Sequence, residues 1–178
     1  MPSKILRRLV IDASVAHASG DKIAVNPTSK HCRDFLLATL KIGHQAVMTL
    51  QMREEWDKHQ SRFARLWRQS MIARRKLCII DVAMNDKLRV EVGCAASKNK
   101  YREIMLKDMH LIEAAIATDR VIISLDEEVR ILFREAARKV GELRIVIWAN
   151  PDKPKEDCIA WLVGGAKVEK KRQLGFIE

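Results

Sequence analysis

Several features that commonly define a small domain are scarce or missing in this chain. Its four cysteines, Cys32, Cys78, Cys94 and Cys158, show no CxxC or other metal-type spacing. That argues against a zinc site or a disulfide framework and for free thiols in a reducing compartment. No stretch approaches the ~20 apolar residues needed to cross a bilayer. Asp12 interrupts the N-terminal apolar run after a few residues, unlike the core of a signal peptide. The expectation is a cytoplasmic protein without a membrane partner. No glycine precedes Gly20, so the Gly-rich loop that a nucleotide-binding fold needs after its first strand is missing. "DASVA" (12–16) also lacks the second aspartate of a DxD phosphotransfer motif.

Cations, by contrast, are plentiful. Lys and Arg outnumber Asp and Glu by 33 to 23, a net charge of +10, which suits a polyanionic partner better than a small neutral substrate. A soluble basic surface with no dedicated partner would carry the same charge. At 178 residues the chain is about the size of one domain. "NPDKPKED" (150–157), with two prolines and a charge cluster, marks a boundary. The expected organisation is a domain over 1–150 and a C-terminal extension over 151–178. In that extension "CIAWLVGGA" (158–166) could dock back on the domain, and "KVEKKRQ" after it is expected to be solvated.

Short β-rich apolar runs alternate with longer helical patterns, which predicts an α/β fold on a mostly parallel sheet. "RLVI" (8–11), "QAVMTL" (45–50), "VIISL" (121–125) and "LRIVIW" (143–148) read as strands, while "LCIIDV" (77–82) is ambiguous between a strand and a buried turn. Helices are expected over 28–41, 51–75, 107–118 and 127–140, the last stopping at Gly141.

In such a sheet the chain leaves each strand at the carboxyl edge, where ligands of open α/β folds bind. Asp12, directly after the first strand, lies there. Glu54 and Glu55 lie early in the helix after the second strand, so at least one can point to that edge. From Asp108 a helix descends about 16 Å to Asp119 at ~1.5 Å per residue. The strand 121–125 climbs back a similar distance at ~3.3 Å per residue. Asp126 thus returns level with Asp108, and Asp119 stays at the opposite edge. Asp12, Glu55, Asp108 and Asp126 are therefore expected to converge. Carboxylates at that density repel one another unless cations are present, and an all-oxygen ligand set favours Mg²⁺ or Mn²⁺. Each has a plainer reading: Asp12, Asp108 and Asp126 as helix N-caps, Glu55 as an exposed helix residue. Ser14 and Ser124 could bond carboxylates or a ligand phosphate, or only make local turns.

"LVIDASV", "TLQMREEW", "KDMHLIEAA" and "VIISLDEEVR", in this order and spacing, resemble a PIN domain, the metal-dependent ribonuclease family that includes VapC-type toxins. The resemblance spans roughly residues 6–148 and implies a three-layer fold, a central sheet flanked by helices. By similarity Asp12, Glu55 (with Glu54 as fallback), Asp108 and Asp126 are the acidic residues, and Ser124 with Asp126 matches the Ser/Thr, any residue, Asp signature. It implies Mg²⁺- or Mn²⁺-dependent endonucleolytic hydrolysis of RNA, and as partners RNA, an antitoxin or other protein, and a second copy of the chain. The length, the basic helix and the extension depart from a typical toxin. The alternative is a catalytically inactive PIN-like protein that binds RNA or a partner.

On a single helix 51–75, at 100° per residue, Lys58, Arg62 and Arg65 fall near the direction of Glu55, while Trp56, Phe63, Trp67 and Met71 form an apolar face. The cations form a candidate phosphate track, with a merely solvated face as the plainer reading. Charge reversal of Arg62 and Arg65 together is expected to weaken RNA binding and flatten its salt dependence, measured as affinity against salt concentration.

Overall fold

The computed structural model describes residues 5–177; residues 1–4 and 178, the outermost parts of the two expected segments, lie outside it. The elements run β1 (Arg8–Ile11), α1 (Ala13–Ala18), α2 (Pro27–Ile42), β2 (Gln45–Met48), α3 (Leu50–His59), α4 (Arg62–Ala73), β3 (Leu77–Ile79) and α5 (Asp86–Ala95). They continue with α6 (Asn99–Lys107), α7 (Met109–Ile116), β4 (Val121–Ile123), α8 (Glu127–Ala137), β5 (Ile147–Ala149) and α9 (Cys158–Val163). The five strands form one all-parallel sheet in the order β3-β2-β1-β4-β5. Helices flank it, giving a three-layer α/β architecture on the parallel sheet that the alternating pattern predicts.

The central strands are apolar without alternation because both faces of a parallel sheet are covered. Leu9, Val10 and Ile11 of β1 and Val121, Ile122 and Ile123 of β4 are all buried. The ambiguous run at 77–82 is a strand, β3, with Ile79 exposed at the sheet's outer edge. The strands expected over 45–50, 121–125 and 143–148 are shorter, at Gln45–Met48, Val121–Ile123 and Ile147–Ala149, and a 3₁₀ turn occupies Gly141–Leu143. That turn also corrects the reading of Gly141 as a helix stop, since α8 already ends at Ala137.

The single helix expected over 51–75 is two helices. Gln60 and Ser61 are extended, with ψ of 138° and 168°. The Ser61 side chain accepts from the Ala64 amide at 3.1 Å, an N-cap for α4. Its hydroxyl also meets that of Ser19 at 2.8 Å, and its amide donates to the Ala16 carbonyl at 3.1 Å, fixing the break against α1. The aromatic face survives the break. Trp56 and Trp67 stack with centroids 6.0 Å apart, and their indole N–H groups donate to the carbonyls of Ile11 and Leu36 at 3.0 and 2.6 Å.

Residues 158–174 join the same core. Cys158, Trp161, Leu162, Ala166 and Leu174 are buried, α9 packs on α2, and Gln173 forms an antiparallel bridge with Ile147. The run "KVEKKRQ" is not wholly solvated, because Arg172 is buried, bonded to Glu156 and Glu169 and stacked over Trp161.

Ser61→Ala removes a cap and a buried hydroxyl contact together. It is expected to lower unfolding free energy by about 1–2 kcal/mol in urea denaturation.

Candidate nuclease site at the sheet edge

The sheet order reverses direction at β1, which lies between β2 and β4. The crevice outside the carboxyl ends of β1 and β4 is thus the topological switch point of the sheet. Asp12 leaves β1 there. Its amide donates to the Ile123 carbonyl at 2.9 Å, which sets it beside Ser124. Two hydroxyls then take hold of one carboxylate oxygen. Ser14 donates to Asp12 Oδ2 at 2.5 Å and Ser124 to the same atom at 2.8 Å. Among the described residues nothing donates to Oδ1. Asp12 stands at the N-cap position of α1, yet its side chain makes no capping bond, so the plainer reading does not account for it. The serines also order the next loop: Ser14 Oγ accepts from the Leu125 amide at 3.2 Å and Ser124 Oγ from the Asp126 amide at 3.1 Å.

Asp126 does cap a helix, accepting from the Val129 amide at 2.9 Å. One of its oxygens is thereby committed to α8. Asp108 sits in the junction between α6 and α7, partly buried, and caps neither helix with its side chain. Its carboxyl is pushed up to about 6, first by burial and then by the negative charge of Asp12, with Asp126 adding to it; His110 and Lys107 pull in the other direction without cancelling the effect. Asp12 and Asp126 therefore both lie within electrostatic reach of Asp108 at one edge. Asp119 lies at the other: it accepts from the Arg8 amide and Nη2, both at 2.8 Å, at the start of β1.

Glu55 is engaged by a neighbour of its own. Its Oε2 lies 3.1 Å from Nε2 of His110, a buried residue whose Nδ1 is 3.1 Å from both Gln51 Nε2 and the Lys107 carbonyl. Burial pushes the Glu55 carboxyl up, but the bond and charge of His110, with Gln51 and Lys107, outweigh it and hold it below the usual range. Burial likewise disfavours the His110 imidazolium, and the bond and charge of Glu55, the Lys107 carbonyl and the charge of Asp108 together outweigh it, raising the imidazole. Glu54 is exposed to solvent on the same helix. His110 and Gln51 are functional candidates that sequence reasoning missed. The only signal was a histidine two residues after Asp108, in a segment otherwise apolar except for Glu113.

An oxygen-only donor set suits a hard divalent cation. Asp108, a partly buried carboxyl without a hydrogen bond or ion pair among the described residues, is a group such a cation would neutralise. As the side chains stand, no group of three or more His, Cys, Asp or Glu among the described residues is placed to hold a metal ion. The residues fit in chemistry and shared edge, and a bound ion would require them to draw closer.

The proposed cation track needs correction in its geometry. Lys58 lies on α3 and Arg62 and Arg65 on α4, so angles counted through one helix do not relate them. All three are exposed, and none forms a salt bridge among the described residues. No protein-family model matches the chain, and no match was found among curated proteins or solved structures.

The raised Asp108 carboxyl makes a pH prediction. Its ordinary value is 3.8 and its folded value about 6, so the folded state favours the protonated form. That stabilisation is complete below about pH 4 and is lost as pH rises through about 6. In EDTA, Asp108→Asn is therefore expected to be more stable than the wild type at pH 7, by about 1–3 kcal/mol, with the gap closing near pH 4. Urea denaturation across pH measures it.

Proposed function

We propose that the chain is a Mg²⁺- or Mn²⁺-dependent ribonuclease of the PIN type, cleaving RNA internally at the carboxylate edge. The observation that carries this reading is the trio itself, Asp12, Asp108 and Asp126 at the switch point, with the Asp108 carboxyl raised to about 6 by burial and by its two neighbours. The order of the four sequence motifs and the net charge of +10 support the substrate class.

In this reading Asp12, Asp108 and Asp126 hold the divalent ion. When bound, the ion supplies charge to a phosphate oxygen and acidifies a water. The protein's own contribution is orientation. Ser14 and Ser124 pin Asp12 Oδ2, which fixes the carboxylate that would help hold the ion. The bond from the Val129 amide fixes the Asp126 carboxylate in the same way. A bound cation would offset the charge that burial and its two neighbours make costly on Asp108. Glu55, held by His110, contributes from outside the trio. Lys58, Arg62 and Arg65 remain the proposed RNA-contacting cations, as separate exposed charges on two helices.

A second reading, a PIN-like protein that binds RNA or a protein partner such as an antitoxin without cutting, is favoured by one observation. Glu55, expected as a ligand, is already engaged by His110. The two readings part in one experiment. The wild type and Asp12→Asn are incubated with labelled RNAs in Mn²⁺, Mg²⁺ or EDTA. Cleavage lost in EDTA and reduced at least about 10²-fold in a folded, RNA-binding Asp12→Asn variant is expected. Binding without cleavage under every metal condition selects the second reading.

A further inference from the structure

The C-terminal extension meets α8 around a cavity of about 270 Å³. At about 30 Å³ per water in the liquid, that is room for a phosphate group with some of its hydration. Its basic lining is Arg130 and Arg134 from α8 and Lys153, Lys155, Lys171 and Arg172 from the extension. Glu127 and Glu156 also line it, and Glu169 lies 2.8 Å from Arg172 Nε. Six cations and two carboxylates thus line the cavity, with Glu169 beside Arg172.

The carboxylates hold the inner cations in place. Glu156 Oε1 accepts from Arg130 Nη1 at 2.5 Å, and its Oε2 lies 3.3 Å from Arg172 Nη1. Glu127 takes Arg130 at 3.2 Å and Lys153 at 2.9 Å. Arg130 still has a buried Nε with no acceptor. Around this framework Lys155 has no carboxylate partner among the described residues, and the exposed Lys171 reaches Glu169 only at 3.5 Å. The pocket's lining is joined to the candidate site through the chain. Glu127 follows Asp126 directly, about 3.8 Å away between Cα atoms, and Lys153 lies in the segment that leaves β5 at the same carboxyl edge. Three carboxylates at that edge repel a phosphodiester, so a strand lying across it needs positive charge beside them.

We propose that this pocket is a phosphate-binding site, built largely by the C-terminal extension, that holds a backbone phosphate of an RNA strand crossing the carboxylate edge. The RNA source rests on the function proposed above; the phosphate site does not.

The test uses the full chain in EDTA, so that cleavage plays no part. Inorganic phosphate is titrated into ¹⁵N-labelled wild type and Lys155→Gln/Lys171→Gln, and a short labelled single-stranded RNA is bound to both across a salt series. Both changes neutralise exposed lysines, and an unchanged melting temperature verifies the fold. Phosphate affinity is expected to fall at least fivefold, and the slope of log affinity for RNA against log salt to become shallower by about 0.7, the share of one phosphate contact on a single strand. Loss of both supports the site with RNA as the source of the phosphate. Loss of phosphate binding alone supports a site for free phosphate and removes the RNA assignment. Phosphate affinity unchanged within twofold overturns the proposal, even where RNA is bound through Arg62 and Arg65 and cut at the trio. Failure of the nuclease reading would appear elsewhere, as absent cleavage in Mn²⁺ and Mg²⁺.

Discussion

The hydrogen bond from the Asp12 amide to the Ile123 carbonyl, 2.9 Å long, locks the last turn of the β1–β4 register. Everything at the candidate site follows from that register. It places Ile11 opposite Ile123, so the next residues, Asp12 and Ser124, leave the sheet side by side. A slip of one residue would turn every side chain of β1 to the other face of the sheet. The apolar runs resist such a slip, because β1 and β4 are buried and their neighbours are fixed on both sides. Core packing and site geometry are thus one constraint: the strands that exclude water also carry the carboxylates to a single edge.

Two aspartates show how the fold treats charge at its two edges. Asp119, at the amino edge, receives the Arg8 amide and guanidinium, and although burial pushes its carboxyl up, those bonds bring it below its ordinary value. Asp108, at the carboxyl edge, receives no such partner and is pushed up to about 6. A fold under pressure only for stability would pair or remove the second group, since an uncompensated carboxyl in a partly buried position is costly. A carboxyl raised by desolvation and specific charged neighbours, in a crevice, is a recurring mark of a functional site. The same edge binds a second acid–base pair, Glu55 with His110, in which each group stabilises the charge of the other. The two arrangements differ in what they ask of a ligand: the pair is internally balanced, and the trio is not.

How much of this could be read from the sequence depended on the range of the interaction. The placement of Asp108, Asp119 and Asp126 was legible because it follows from rise per residue along one helix and one strand, and the ion pair of Asp119 with Arg8 agrees with it. The break at Gln60 and Ser61 was hidden because the apolar period of Trp56, Phe63, Trp67 and Met71 continues across it, while the stop depends on Ser19 and Ala16 from α1. The helices α5 and α6 were missed because they bury little, with Leu88, Val92 and Gly93 in one and Met105 in the other. The engagement of Glu55 by His110 depends on how α3 packs against α7, which no local spacing encodes. Local geometry was legible, then, and contacts between elements distant in sequence were not.

The extension illustrates the same division of labour between burial and charge. Its attachment comes from apolar area: Trp161, Leu162 and Leu174 enter the common core, and the imidazole of His44 bridges the Arg7 amide and the Leu162 carbonyl at 2.9 and 3.0 Å. The ion pairs around Glu156 add little net stability by comparison, because desolvating two arginines and a carboxylate offsets much of their attraction. Their effect is positional. Glu156 binds Arg130 through Oε1 and, through Oε2, both Arg172 and the Asn150 amide, so its carboxylate has one place to sit. Asn150 is the first residue after β5, which ties that place to the sheet edge. The buried charges thereby convert a hydrophobic attachment, which is tolerant of small slides, into a fixed arrangement of basic side chains beside Asp126.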